Sequence, residues 1–245
     1  MKTSYNNLAK YYDLFFQQKD YKKETDFILS LLKKYKILQD SILDVGCGTA
    51  EHLFLLKDSF KHLYGVDISE QILEVARKKL KRGNFLKSDM KNFSIDRKFD
   101  VVTCLYSVFN YNLDIRSAIE TLKNFKKHLN KNGMVIIAFY NERNPEKQIS
   151  LHMGEDENAK AVKINEFKYS ATDKIVRSNH VVFTKDKDGL DFDIEVEDKF
   201  RIFDFLEIEE IVRSSDLSKY KLYDNFTYEE ALEKKSKYPV LVLLK

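Results

Sequence analysis

Hydrophobic positions fall at two spacings along this chain, and the points where one spacing gives way to the other mark out its parts. Between Asp20 and Tyr35, Phe27, Ile28, Leu31 and Leu32 recur at helical spacing against a polar opposite side, which predicts an amphipathic helix. Ser41-Ile42-Leu43-Asp44-Val45 follows as a short buried strand ending in Gly46-Cys47-Gly48. A helix is expected through His52–Lys57, a second strand over His62–Asp67, and then a helix opened by Ser69 as N-cap. Asn84–Lys87 and Phe99–Leu105 read as the third and fourth strands and Ile115–Leu129 as a long helix. Asn132-Gly133 is expected to end that helix region before a fifth strand over Met134–Phe139.

Strand and helix thus alternate over residues 37–140, which implies right-handed crossovers and an α/β, doubly wound, mostly parallel Rossmann-like sheet. From Lys160 the pattern changes to three long stretches with partial alternation: Ala161–Tyr169, Lys174–Thr184 and Leu190–Phe203. Ala171-Thr172-Asp173 and Lys185-Asp186-Lys187-Asp188-Gly189 separate them as turns, so an antiparallel sheet is inserted after the fifth strand. Phe205–Ser214 resumes a helix, and Lys219–Asp224 and Pro239–Leu244 bring the main sheet to seven strands. The expected division is residues 1–150 and 204–245 for the core with an N-terminal helical cap, and 151–203 for the insertion.

Composition narrows the classes. Apolar residues make up 43% of the 245, enough for a substantial core. The longest apolar runs, Val135–Phe139 and Val240–Leu244, are too short to cross a bilayer, so no membrane role is expected. The polar N-terminal stretch lacks the apolar run of a signal peptide, and Cys47 and Cys104 cannot build a disulfide framework; the expected compartment is cytoplasmic. Residues 151–205 carry 9 basic and 13 acidic side chains, and no segment has the basic stripe of a nucleic-acid binder. The histidines, at 52, 62, 128, 152 and 180, show no metal-ligand spacing, so no metal is expected.

In an open α/β sheet, ligands bind beyond the carboxyl ends of the strands, near the point where strand order reverses. The Gly46-Cys47-Gly48 turn marks that place, and its neighbours choose the ligand. A dinucleotide turn wants a third small residue at position 51, where this chain has Glu51, and Asp44 lies two residues before Gly46. Two carboxylates there oppose a pyrophosphate. S-adenosylmethionine carries an ammonium and a sulfonium and no phosphate, so an acid at the turn suits it. Asp44 then orders the turn or attracts the ammonium, while Gly46 and Gly48 let the backbone approach. Asp67 is placed for the ribose hydroxyls, Asp89 for the adenine amino group, and Met90 for the ring. A nicotinamide-dependent oxidoreductase shares Asp67 and remains the alternative, as does a non-catalytic cofactor-binding protein of this fold.

Ile42-Leu43-Asp44-Val45-Gly46-Cys47-Gly48-Thr49-Ala50 resembles the first motif of the class I S-adenosylmethionine-dependent methyltransferases, with Ala50 in place of the commoner final glycine. Gly65-Val66-Asp67-Ile68-Ser69, Ser88-Asp89-Met90 and Phe99-Asp100-Val101-Val102-Thr103-Cys104 resemble the second, third and fourth-strand motifs. Tyr5-Asn6-Asn7-Leu8-Ala9, Tyr12-Asp13 and Asp20-Tyr21 are similar to the subgroup containing nucleotide-linked amino-sugar N,N-dimethyltransferases. The resemblance implies that an aromatic N-terminal segment folds over the cofactor, and that the insertion covers the acceptor and mediates pairing into a homodimer. Tyr5, Tyr12 and Tyr21 would then face the cofactor, Lys23 its carboxylate, and Cys47, Ile68 and Leu105 would line its site. Tyrosine faces suit a sulfonium through cation–π attraction.

Leu105-Tyr106-Ser107-Val108-Phe109-Asn110-Tyr111 should line the methyl end. Tyr106, Asn110, Tyr111 and His152 are candidate orienting groups, His152 being read as a surface residue, and no catalytic residue is assigned. The Asn/Asp-Pro-Pro-Tyr of nucleobase amino-methylating enzymes is absent, since the prolines are Pro145 and Pro239. The acidic insertion also opposes a polyanionic acceptor. The expected acceptor is a small molecule, in particular an amine, and not a nucleic acid.

Overall fold

In a computed structural model, residues 8–142, 148–217, 219–233 and 235–245 are described, with the backbone alone at 193–197. The main sheet contains β1 (Ser41–Val45), β2 (His62–Asp67), β3 (Asn84–Lys87), β4 (Phe99–Cys104), β5 (Leu129–Ala138), β10 (Lys219–Asp224) and β11 (Pro239–Leu244). Its order is β10-β11-β5-β4-β1-β2-β3. The five strands from β5 to β3 are parallel, and β10 and β11 close the edge antiparallel. Strand order reverses between β1 and β4, which fixes the crevice beyond their carboxyl ends as the ligand side.

Both faces of β1, β4 and β5 are buried, which explains their continuous apolar runs. On one face, Ile42, Val101, Met134, Ile136 and Val242 pack against α2 (Tyr21–Tyr35), α3 (Glu51–Leu55) and α4 (Glu70–Lys79). On the other, Leu43, Val102, Val135 and Leu241 pack against α5 (Ile115–Lys127) and α6 (Phe205–Ser214). Asp20 caps α2 and Ser69 caps α4 through side-chain oxygens that accept backbone N–H groups, and Asp204 and Glu207 form a capping box on α6.

The expected junction at Asn132-Gly133 is corrected. Helix α5 stops at Lys127 with His128 as its C-cap, and β5 already runs from Leu129. Asn132, at φ 67°, sits in a register shift within the strand, where Phe99 pairs with Leu129 and Val101 with Met134. A left-handed Asn before a Gly signals a turn in sequence, and the same conformation serves a bulge.

The inserted sheet has four strands rather than three: β6 (Gln148–Glu155), β7 (Lys160–Ser170), β8 (Ile175–Asp186) and β9 (Gly189–Arg201), paired antiparallel in that order. Strand β6 escaped the sequence reading because its alternation is inverted. Its apolar residues Ile149, Leu151 and Met153 are exposed, while Ser150 and His152 point inward. The inward face packs on the N-terminal segment, a 3₁₀ turn over Ala9–Tyr11 followed by α1 (Tyr12–Phe15). Leu8, Tyr11, Leu14 and Phe15 share a core with Ala161 and Val182. At the closest approach, a Cβ on Gly154 would lie 2.0 Å from the Leu14 carbonyl oxygen, so only glycine lets β6 rest on α1. Among the described residues no helix is long and apolar enough to cross a membrane.

Candidate functional site at the strand ends

Asp44, at the end of β1, is buried, and the Thr103 hydroxyl of β4 donates to its Oδ1 at 2.7 Å. Burial pushes its carboxyl above the ordinary aspartate range, opposed by the positive charge of His52 and Lys19 and by the Thr103 bond. Asp67, at the end of β2, is half-buried and faces the glycine turn. Gly48 N–H donates to its Oδ2 at 3.0 Å and Ser69 N–H to its Oδ1 at 3.0 Å. Burial raises this carboxyl too, while those two N–H groups hold it down. Each oxygen keeps a further lone pair for a hydroxyl.

Gly46 adopts φ 72° and lies against the Val108 side chain; a Cβ there would be 2.4 Å from the nearest Val108 methyl. Ala50 also takes a left-handed conformation, φ 66°, with its methyl fully buried, so the departure from glycine costs strain and gains burial. Cys47 turns its sulfur down over Gly65 into the core, and Leu105 is buried behind the turn, so of these two the turn presents backbone. Ile68 is exposed at the rim. Asp89 is half-buried after β3, and its Oδ1 accepts Lys91 N–H at 2.9 Å. Met90 packs on the α5 side, its sulfur 3.8 Å from Asn112 Nδ2.

The N-terminal segment is clasped to the turn. The Thr49 hydroxyl donates to Asp13 Oδ1 at 2.5 Å, and the Lys79 ammonium lies 2.7 Å from both Asp13 Oδ2 and Glu51 Oε2. Lys79 thus offsets part of the Glu51 charge while it is shared with Asp13. The case against a diphosphate rests on Asp44 and on the missing small residue at 51. Lys79→Met leaves Asp13 and Glu51 facing each other; we expect a loss of about 1–2 kcal/mol in urea unfolding, with faster amide exchange in residues 8–16.

Tyr12 lies over the turn, 3.8 Å from where a Gly48 Cβ would stand, and Phe16 packs against it, tilted, at 4.9 Å. Phe16 in turn meets Tyr106 at 5.1 Å and His152 at 5.5 Å, which carries one aromatic wall from the glycine turn to the inserted sheet. Tyr106 and Ser107 are both left-handed, at φ 53° and 63°, a strained pair immediately after β4 and Leu105. The Tyr21 ring is covered by the Lys19 ammonium at 3.9 Å and meets His52 edge-on. Lys19 also lies 2.5 Å from Glu24 Oε2, which is 2.6 Å from His52 Nε2, and 5.1 Å above the Tyr106 ring. Desolvation lowers the Lys19 ammonium below the usual lysine range against the pull of Glu24. Lys23, expected at the cofactor, is exposed on α2. Tyr5 lies outside the described residues.

Two candidate orienting groups change character. Asn110 is fully buried and structural: its Nδ2 donates to the Tyr140 and Arg201 carbonyls, and its Oδ1 accepts Tyr140 N–H. His152 is half-buried on the inner face of β6 rather than a surface residue. Lys19, Glu24 and Phe16 were not singled out in the sequence, because only the packing of α1 and α2 brings them to the strand ends.

These strand-end motifs, on a seven-stranded Rossmann-like sheet, resemble those of the class I S-adenosylmethionine-dependent methyltransferases, and residues 42–133 match the methyltransferase domain family. More particularly, the chain resembles amino-sugar N,N-dimethyltransferases. It is 33% identical over 132 residues to a dTDP-3-amino-3,6-dideoxy-alpha-D-glucopyranose N,N-dimethyltransferase of Streptomyces fradiae, covering 53% of this chain and 52% of that one. The chain spans about half the length of the curated relatives it matches. The fold extends over the whole chain. An S-adenosylmethionine-dependent methyltransferase from Clostridium acetobutylicum superposes with TM-score 0.83 at 23% identity, covering 99% of both chains. The sugar N-methyltransferase KedS8 from Streptoalloteichus superposes with TM-score 0.81 at 20% identity, covering 96% of this chain and 92% of that one.

Proposed function

We propose that the protein is an S-adenosylmethionine-dependent methyltransferase acting on a small-molecule amine, an amino sugar being the class its relatives favour. The observation that carries this reading is Asp67, turned toward the glycine loop near the buried acid Asp44, where a phosphate would be repelled and a cationic nucleoside welcomed. In this reading the bound cofactor supplies an activated methyl on a sulfonium leaving group. Asp67 takes the ribose hydroxyls, Asp44 the amino-acid ammonium, and the backbone of Gly46, Cys47 and Gly48 the methionine portion. Asp89, Met90 and Ile68 border the adenine and Leu105 backs the turn. Tyr5, Tyr12 and Tyr21 close the N-terminal side. The protein's own task is then to align the acceptor and exclude water.

Lys19 replaces Lys23 as the basic group for the cofactor carboxylate, since its ammonium already lies between the Tyr21 and Tyr106 rings. Lys19→Ala is expected to weaken S-adenosylmethionine binding about tenfold by calorimetry, and Lys23→Ala by less than twofold. Absence of any calorimetric binding to the unaltered protein would sink the whole reading.

Residues 1–150 with 204–245 serve as the cofactor-binding core and 151–203 as the acceptor cover. The exposed face of the inserted sheet, with Leu151, Met153, Ile164, Phe183 and Phe192, supports pairing of two copies. Sedimentation should give twice the chain mass, falling to one chain mass in L151D/F192D. A cytoplasmic setting, which keeps the buried thiols of Cys47 and Cys104 reduced, completes the proposal.

A further inference from the structure

The inner face of the inserted sheet carries a line of hydrogen bonds that ends at the aromatic wall. His180 Nδ1 lies 2.5 Å from Asn165 Oδ1, a carbonyl oxygen, so that nitrogen is the donor. Asn165 Nδ2 donates to Ser150 Oγ at 2.8 Å, and Ser150 Oγ lies 3.4 Å from His152 Nε2. The His152 ring stands edge-on to Phe16, which touches Tyr106, next to the last residue of the Phe99–Leu105 stretch. His152 is thus the one imidazole of that line that meets the aromatic wall running to the glycine turn.

We propose that His152 accepts the proton released by the acceptor nitrogen, with Ser150, Asn165 and His180 fixing its ring; this rests on the functional reading above. The role requires Ser150 Oγ to accept His152 Nε2–H as well as Asn165 Nδ2–H, which leaves His152 Nδ1 as the base. The nitrogen lone pair of a neutral amine forms the N–C bond as the C–S bond breaks, and that electron pair stays on sulfur as a neutral thioether. The methylated nitrogen is then an ammonium. Its proton passes to Nδ1 and on to solvent, which restores the neutral amine that a second transfer requires.

The surroundings keep the ring uncharged before it acts. Lys163 of β7 is paired directly across from His152, and burial together with the Lys163 charge lowers His152 below the ordinary histidine range. His180 of β8 is lowered to about 3 by burial, Lys163 and His152. Asp198 of β9, which accepts the Tyr111 hydroxyl at 2.6 Å, lies on the same sheet, while α1 brings Tyr12 and the Asp13 held by Lys79. A base lowered in this way is fully available at neutral pH, and the rate falls as pH drops through its value.

Nitrogen-15 NMR of the histidine rings tests this in the intact protein, with H152Q identifying the resonance. His152 should titrate below the ordinary histidine range, with its neutral form protonated on Nε2. An Nδ1-protonated ring, or titration at or above the ordinary range, overturns the inference whether or not any acceptor is turned over. With the nucleotide-linked 3-amino sugar of the Streptomyces fradiae relative as acceptor, H152Q should lower kcat about a hundredfold and remove the inflection at the His152 titration, leaving the limb set by protonation of the acceptor amine. Its S-adenosylmethionine affinity by calorimetry should stay within about twofold. A retained inflection at that pH, or a kcat within threefold of wild type, overturns the role of His152. Failure of the unaltered protein to bind S-adenosylmethionine instead overturns the functional reading and leaves the ring titration to stand on its own.

Discussion

Asp67→Ala is expected to weaken S-adenosylmethionine binding about a hundredfold, read by calorimetry at neutral pH. Two hydroxyls donating to one carboxylate are charge-assisted bonds of about 1.5–3 kcal/mol each, and part of that gain is offset by desolvation, leaving about 3 kcal/mol. The same carboxylate accepts Gly48 N–H and Ser69 N–H, so alanine also loosens the turn that carries the rest of the site. Asp67→Asn retains one acceptor oxygen without the charge and should lose about tenfold. The pH dependence has a definite sign. The free protein's Asp67 is raised by burial, and the ionised form is the one that takes hydroxyls. Affinity is therefore full at neutral pH and falls on acidification, starting above the pH at which an exposed aspartate titrates. The same shift means the folded chain holds that proton more tightly than the unfolded one. The stability penalty of burying the carboxylate is present at neutral pH and relieved as pH falls. A pH-independent affinity down to the ordinary aspartate range would contradict this assignment.

Gly46→Ala should cost about 3 kcal/mol of unfolding free energy in a urea titration, the largest stability effect at the site. Two terms contribute. At φ 72° an alanine carries the left-handed penalty of about 1–2 kcal/mol. Its Cβ also meets all three Val108 side-chain carbons within 2.9 Å, and relieving that overlap costs about 1–3 kcal/mol. The double variant G46A/V108A separates them. Relative to V108A alone, the glycine substitution should then cost the conformational term plus a smaller remainder from the Cβ kept at residue 108, 2.9 Å away. Equal costs in the two backgrounds would show that Val108 does not set the requirement. Gly46 is thus explained by the packing of the chain after β4 against the turn, a reason independent of any ligand.

Much of the fold was legible because the buried strands and amphipathic helices obey simple periodicities. The runs at Ile42–Val45 and Val101–Cys104 and the stripe of Phe27, Ile28, Leu31 and Leu32 place the sheet and α2 without ambiguity. Asp44 and Asp67 were legible for the same reason, since a residue at a strand's carboxyl end has its position set by the strand. What failed was set by tertiary pairing. Leu129–Asn132 reads as the tail of a helix until β4 recruits it as strand, and Asn132 marks a bulge where it looked like a turn. Strand β6 turns its apolar residues to solvent and its polar ones inward, the reverse of the pattern that identifies a half-buried strand. His152 was misread with it. Glu51, whose charge argued against a phosphate, proved to be partly offset by Lys79 from 28 residues away, a pairing no local spacing encodes. Lys19 and Lys23 differ in setting because Lys19 precedes the Asp20 cap and turns onto Tyr21 and Glu24, whereas Lys23 sits on the exposed first turn of α2.

The contact of Gly154 with the Leu14 carbonyl makes the chain unequally tolerant of changes in length. Deleting one residue within β6 would exchange its faces, turning Leu151 or Met153 toward α1 and His152 to solvent, and would bring a side chain against Leu14 in place of a bare Cα. The hairpin tip at 171–174, at the opposite end of β7 from the residues paired with Gly154, lies away from that contact and can gain or lose residues without moving it. A library of insertions and deletions through the inserted sheet should therefore read as a ruler, permissive at the turn far from the N-terminal segment and intolerant along β6 where it rests on that segment.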